Sequence, residues 1–203
     1  MTTRVTLIGC GIFRDEIEHI LKEDQPDLDI RWQEVGLHDS IERLEETLDA
    51  VVREHRQSGG GPLGFLYGTA CLPTMKAFAA ERGALVLPAK NCLAALVGEA
   101  RIKELERNRT LAASVGFVRH MWLGRAQTAT GWTADDFRMQ FGRYDRIVVL
   151  DPGLAPLTDE EILTCFDLVQ VPLEIEPCGL DYFRHIFKEL LEACAAGGRA
   201  DAY

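Results

Sequence analysis

Short apolar runs and amphipathic helical stripes alternate along this chain almost from end to end, and that alternation restricts the fold more than any other feature. Residues 4–9, 30–36, 63–67, 84–87 and 146–150 read as strands, because they are short, rich in aliphatic residues and bounded by Gly, Pro, Asp or Asn. Between them, Ile17 and Ile20 in residues 14–23, and Ile41, Leu44, Leu48 and Val51 in residues 40–55, recur every three or four positions. That spacing lines one face of a helix. Asp39 or Ser40 offers an N-cap for the second stripe, with Glu42 or Arg43 behind it. Further helices are expected over 74–81, 92–105 with an interruption at Gly98, 158–165 and 180–193, and a frayed tail over 195–203. Residues 109–142 carry Phe117, Met121, Trp122, Trp132, Phe137 and Phe141, with 128–131 as a break between two short helices. Residues 168–176 form a weaker β segment, which Pro172 assigns to a sheet edge. Strand–helix alternation implies βαβ crossovers and an α/β fold, a mostly parallel Rossmann-like sheet with helices on both faces. The expectation is one α/β domain over residues 1–203, with all five strands in one sheet; a division into two small lobes near residue 110 stays open.

The charge balance narrows the partners. A net charge of -10 with no cluster of Lys and Arg argues against a nucleic-acid partner, since binding to phosphates needs a basic face. No apolar stretch approaches the roughly 20 residues of a membrane span, and Met1-Thr2-Thr3-Arg4 leads into a strand rather than a secretory signal. A cytoplasmic protein is expected, in which six cysteines are better read as metal-bound, catalytic or reduced than as disulfides. Self-association into a homo-oligomer is left open.

Four side chains that can carry chemistry fall where an apolar run ends and a helical pattern begins: Cys10, His38, Cys71 and Cys92. In a parallel sheet all four lie along the carboxyl edge, where open α/β sheets bind ligands. Gly9-Cys10-Gly11 lacks the third glycine of a dinucleotide fingerprint, since Arg14 stands in its place. Cys71, in Tyr67-Gly68-Thr69-Ala70-Cys71-Leu72-Pro73, is expected close to a helix N-terminus opened by Pro73, and Cys92 follows Lys90-Asn91. Both positions should lower a thiol's pKa. One imidazole and two thiolates suit zinc, with Cys10 as a fourth ligand or a nearby thiol. Without metal, Cys71 and Cys92 could serve as a dithiol redox or sulfur-handling pair. Cys165 and Cys194 read as structural and Cys178 as an outlying candidate, while His19, His55 and His185 read as helix-surface residues. Arg119-His120 beside Trp122 could line a pocket, though a packed aromatic cluster explains the tryptophans equally well.

Cys10 with Glu16-Ile17 behind it, Leu37-His38-Asp39, Tyr67-Gly68-x-x-Cys71, Leu87-Pro88-Ala89-Lys90-Asn91-Cys92-Leu93 and a closing Gly179-Leu180 helix together resemble the DUF1638 proteins over most of the chain. The sequence keeps both motif cysteines but carries Lys90-Asn91 where the family pattern has His-Asp. The resemblance implies an association with corrinoid-dependent methyltransferases and one-carbon metabolism. The leading expectation is therefore a zinc protein, with His38, Cys71, Cys92 and Cys10 as ligands, that acts in corrinoid-linked methyl transfer as a metal-thiolate methyltransferase or its accessory subunit. A small-molecule substrate or corrinoid methyltransferase components would be its partners. The alternatives are the dithiol enzyme and a non-catalytic partner of a methyltransferase, with the aromatics of 117–141 at the interface.

Overall fold

The computed structural model describes residues 4–24, 27–124 and 132–197. The first three residues, the break expected between two short helices at 128–131 and the end of the tail lie outside them. The chain forms two compact units, one from Met1–Ala95 with Asp181–Tyr203 and one from Leu96–Leu180. Each has its own parallel sheet flanked by helices.

In the first unit, β1 (Val5–Cys10), β2 (Leu28–Gln33), β3 (Leu63–Leu66) and β4 (Ala84–Val86) form an all-parallel sheet in the order β2-β1-β3-β4. Val5 pairs with Leu28, Thr6 with Leu63, and Leu63 with Ala84. β1 is buried along its whole length, so it reads as a continuous apolar run rather than an alternation. The second strand starts and ends earlier than its apolar pattern suggests, because Gly36 takes a left-handed φ of 82° and turns the chain into a short helical turn, Leu37–Asp39. Crossovers are made by α1 (Arg14–Asp24), α2 (Ile41–Gln57) and α3 (Met75–Glu81).

Ser40 caps α2 by accepting from the Arg43 amide. The buried stripe of α2 is Leu44, Leu48, Val52 and His55, slightly rotated from the one expected, with Ile41 43% exposed. His55 is therefore a core residue and not a surface one: its ring nitrogen donates to the Gly61 carbonyl at 3.3 Å, which makes its burial affordable. The last helix, α7 (Asp181–Ala195), returns to this unit, where Phe183 stacks on Phe13 with ring centroids 5.2 Å apart. Arg184 reaches Glu23 and Asp24 of α1.

The helix α4 (Cys92–Leu105) begins in the first unit and runs into the second, and its backbone leaves helical geometry at Gly98 (φ 81°, ψ 155°), where an interruption was expected. The second unit holds β5 (Thr110–Ser114), β6 (Arg146–Asp151) and β7 (Leu173–Pro177), parallel and in the order β5-β6-β7. The expectation that residues 146–150 join the sheet of the first strands is thus corrected. β6 is a strand, but its neighbours are β5 and β7. β7 is an edge, as Pro172 implied. The helices α5 (Ala134–Phe141) and α6 (Asp159–Val169) both start with a capping box, Thr133 with Asp136 and Thr158 with Glu161.

The core of this unit contains Val118, Trp122, Phe137, Ile147, Val149 and Cys165. Its aromatics pack on one another, Trp122 against Phe117 at 5.5 Å and against Phe141 at 5.1 Å, which accounts for Phe117, Trp122, Phe137 and Phe141 as core or packed against it, whereas Trp132 is 38% exposed. A π-helical turn, Val118–Leu123, carries Arg119 to a bidentate ion pair with Glu161. Among the described residues no helix is long and apolar enough to cross a membrane.

Candidate functional site

In a parallel sheet ordered β2-β1-β3-β4 the strand order reverses between β1 and β3, because the chain leaves β1 toward one side for β2 and returns to the other for β3. The helices that follow β1 and β2 are thereby sent to opposite faces, and the carboxyl ends of β1 and β3 are the place where sheets of this order bind ligands. Cys10 is the last residue of β1, and Tyr67 directly follows the last residue of β3. Two more loops close in. The Thr69 and Ala70 amides donate to the Ala89 and Lys90 carbonyls at 2.8 Å each, which zips the loop after β3 to the loop after β4. Gly68 is required there. A Cβ at this position would lie 2.4 Å from the Lys90 carbonyl oxygen and 2.5 Å from Asn91 Cα. Asn91 in turn caps α4, its Oδ1 accepting from the Ala94 amide at 2.8 Å, a role that the Asp of the family pattern fills equally well. Cys92 is then the first residue of α4.

The result is a cluster of three thiols close enough for a charge on one to act on the others. Burial pushes Cys10 up to about 11, with the charge of Cys71 adding to it, while backbone amides of Ile12 and Gly36 oppose the rise. Burial pushes Cys92 up to about 12, with further rises from Cys71 and Cys10, opposed by the amides of Leu93 and Cys92 itself. Cys71 is raised by burial and opposed by the Gly68 amide. The sequence argument for depressed thiol pKa values is therefore overturned. Cys71 sits ahead of a short helix that begins at Met75 with Thr74 as its N-cap, later than the start at Pro73 that was expected, and Lys90 is exposed, so desolvation wins at every sulfur. Cys10, Cys71 and Cys92 are free thiols.

Tyr67 completes the cluster, and sequence reasoning assigned it no role. Its side chain is 1% exposed, and its hydroxyl is one of two buried side-chain oxygens without a hydrogen-bond partner among the described residues, the other being Glu16 Oε2. Burial raises its pKa, with smaller rises from the charges of Cys10 and Cys71, and Tyr67 stands one residue beyond the Gly9–Leu66 pair of the β1–β3 ladder, at the level of Cys10. The only sequence signal was an aromatic residue in front of Gly-x-x-Cys at the end of an aliphatic strand.

His38 occupies the turn Leu37–Asp39. The turn is tied to the cluster through the Gly36 amide at Cys10, but the imidazole is 42% exposed and lies 3.9 Å from the Asp39 carboxylate. Among the described residues no three His, Cys, Asp or Glu side chains already stand in position to hold a metal ion, so ligation requires the sulfurs to be drawn together. The remaining cysteines are elsewhere. Cys165 is fully buried in the second unit's core. The Cys194 thiol donates to the Leu63 carbonyl at 3.6 Å, and Cys178 follows β7, its amide donating to the Asp151 carbonyl.

No curated protein and no solved structure matches the chain. The family model described as "Protein of unknown function (DUF1638)" matches residues 32–187, a span that includes Tyr67, Cys71 and Cys92 and stops short only of Cys10. The chain belongs to the DUF1638 family.

Proposed function

We propose that the protein binds a thiophilic metal ion, zinc first, through Cys10, Cys71 and Cys92, with His38 as fourth ligand after rotation of its exposed side chain. The observation that carries this reading is the convergence of three thiols, with backbone amides directed at each, on the switch point of the sheet. The protonation of these thiols favours metal over the dithiol alternative. A redox or nucleophilic cysteine works as thiolate, and its reactivity near neutral pH depends on a depressed pKa, whereas here burial holds all three as thiols. A divalent cation reverses that balance, because it displaces thiol protons and neutralises most of the charge that burial penalises. Zinc, when bound, keeps a cysteine sulfur anionic near neutral pH. Such a site suits the corrinoid-linked methyl transfer that the family resemblance implies, in a cytoplasmic setting and with methyltransferase components as partners.

Elemental analysis of protein purified without added metal tests the reading directly. One zinc per chain is expected in the wild type, with loss in Cys71→Ser and Cys92→Ser and retention in Cys165→Ser and Cys194→Ser. A wild-type protein that neither retains zinc nor takes it up at micromolar concentration ends it. The methyl-transfer part is checked separately, by co-purification of the zinc-loaded protein with a corrinoid methyltransferase from its own cells.

A further inference from the structure

The second unit holds a cleft of its own, about 380 Å³ in volume, within the range of about 300–1,000 Å³ usual for small-molecule sites. Its floor is apolar, formed by Val148 of β6 and Leu105 at the end of α4, both buried. Its walls are charged, and the charges are unevenly shared. Where α4 faces β7, one guanidinium serves two carboxylates: Arg101 donates to Glu176 through Nε at 3.1 Å and Nη2 at 2.8 Å, and its Nη1 lies 2.8 Å from Glu104. That end of the cleft carries an excess negative charge. Arg146 and Glu174 cancel each other at 2.9 Å. Arg107, also lining the cleft, has no ion-pair partner among the described residues, so its end carries an excess positive charge. The loop that presents Arg107 is strained. Asn108 and Arg109 both take a left-handed φ of 56°, which Asn tolerates and Arg disfavours. Arg109 is held there by Asp145, whose amide donates to its carbonyl at 2.8 Å and whose carboxylate lies 3.0 Å from its guanidinium. Backbone kept in a sparsely populated region clusters at ligand-binding sites, and here it sets Arg107 and Asn108 at the cleft.

We propose that this cleft binds an extended zwitterion, whose carboxylate lies against Arg107 and Asn108 and whose ammonium lies where Glu104 and Glu176 meet Arg101. A simple anion would gain at Arg107 and be repelled by the paired glutamates, and a simple cation the reverse, so only a ligand charged at both ends matches the cleft at both ends. The spacing follows from the sheet. The Arg107 carbonyl accepts from the Thr110 amide, and Thr110 pairs with Arg146, whereas Glu176 pairs with Leu150, four residues further along β6. Four residues of strand span roughly 13 Å, so with side chains reaching inward the ligand's charges lie on the order of 10 Å apart, the length of an extended tripeptide. An α-amino acid is too short. The apolar floor then lies under the middle of the ligand.

Amide NMR titrations of the full chain at neutral pH test this with triglycine, its C-terminal amide, its N-acetyl form and glycine. Triglycine should shift the amides of Asn108, Arg109 and β7, and each capped form should bind about three- to tenfold more weakly, because one charge is lost. Arg107→Gln should abolish the preference for triglycine over its amide, and Glu104→Gln the preference over its N-acetyl form. Both side chains are exposed, so both variants should fold. A further probe, 6-aminohexanoate, carries the two charges without peptide groups: weaker binding than triglycine assigns the site to short peptides, tighter binding to ω-amino acids. The proposal is overturned if neither triglycine nor 6-aminohexanoate shifts these amides at millimolar concentration, if glycine or a capped form binds as tightly as triglycine, or if Arg107→Gln keeps the full preference for the free carboxylate.

Discussion

Glu16 illustrates how one buried group fixes a response of the whole fold. It lies in the first turn of α1, 6% exposed, with Oε2 unpartnered, and burial, its largest influence, raises its pKa to about 7 from 4.5. The folded state therefore keeps a proton that the unfolded state has already released. Below pH 4.5 both states are protonated and the group costs nothing; as pH rises from 4.5 to 7, the unfolded chain binds fewer protons and stability falls. A gap of this size is worth on the order of 3 kcal/mol. Glu16→Gln should remove that decline, so urea melts of the two proteins should converge near pH 4 and separate by pH 7, the variant being more stable. Parallel curves across this range would show that the carboxylate ionises freely in the folded state.

The loops that end β3 and β4 are the elements on which the site depends. Gly68 lets the backbone of 67–71 lie against that of 90–91, and the two amide–carbonyl bonds from Thr69 and Ala70 hold the pair together. In Gly68→Ala the new methyl group meets backbone rather than a flexible side chain, so one loop must move. Overpacking of this kind costs about 1–3 kcal/mol. The variant should melt several degrees lower and lose metal affinity by at least about tenfold, because Cys71 and Cys92 ride on opposite members of the pair. Wild-type affinity in a folded Gly68→Ala protein would separate the loops from the site.

This arrangement was only half legible in the sequence. Cys10, Cys71 and Cys92 could be placed on one sheet edge because residues that end parallel strands must lie there. Tyr67 could not, since an orphaned hydroxyl is a product of packing around it and leaves no local pattern. The direction of the thiol shifts was missed for a related reason. Helix termini and Lys90 are visible in sequence, but the desolvation that outweighs them is not.

At the scale of the molecule, the alternation of strands and helices identified the α/β class but not the partition of strands between sheets. An apolar run such as Arg146–Asp151 says that a strand is buried on both faces, and says nothing about which strand lies beside it. β5 escaped notice altogether, because Thr110–Ser114 contains two alanines and a serine, with Thr110 its one β-branched residue and no aromatic to mark it as a strand. The two sheets nevertheless have separate cores, and Cys10, His38, Cys71 and Cys92 all belong to the first unit. Metal binding stabilises what it binds by mass action, about 2.7 kcal/mol when free metal is a hundredfold above Kd. Tryptophans report the two units independently: Trp32 lies in β2 of the first, and Trp122 in the core of the second. In proteins that keep only one of these two, the others being replaced by Phe, removal of metal by a chelator should lower the denaturant midpoint reported by Trp32 more than that reported by Trp122. Equal shifts at both would mean that the two cores unfold as a single cooperative unit, and no shift at either would mean that the thiol cluster is not a metal site in the folded protein.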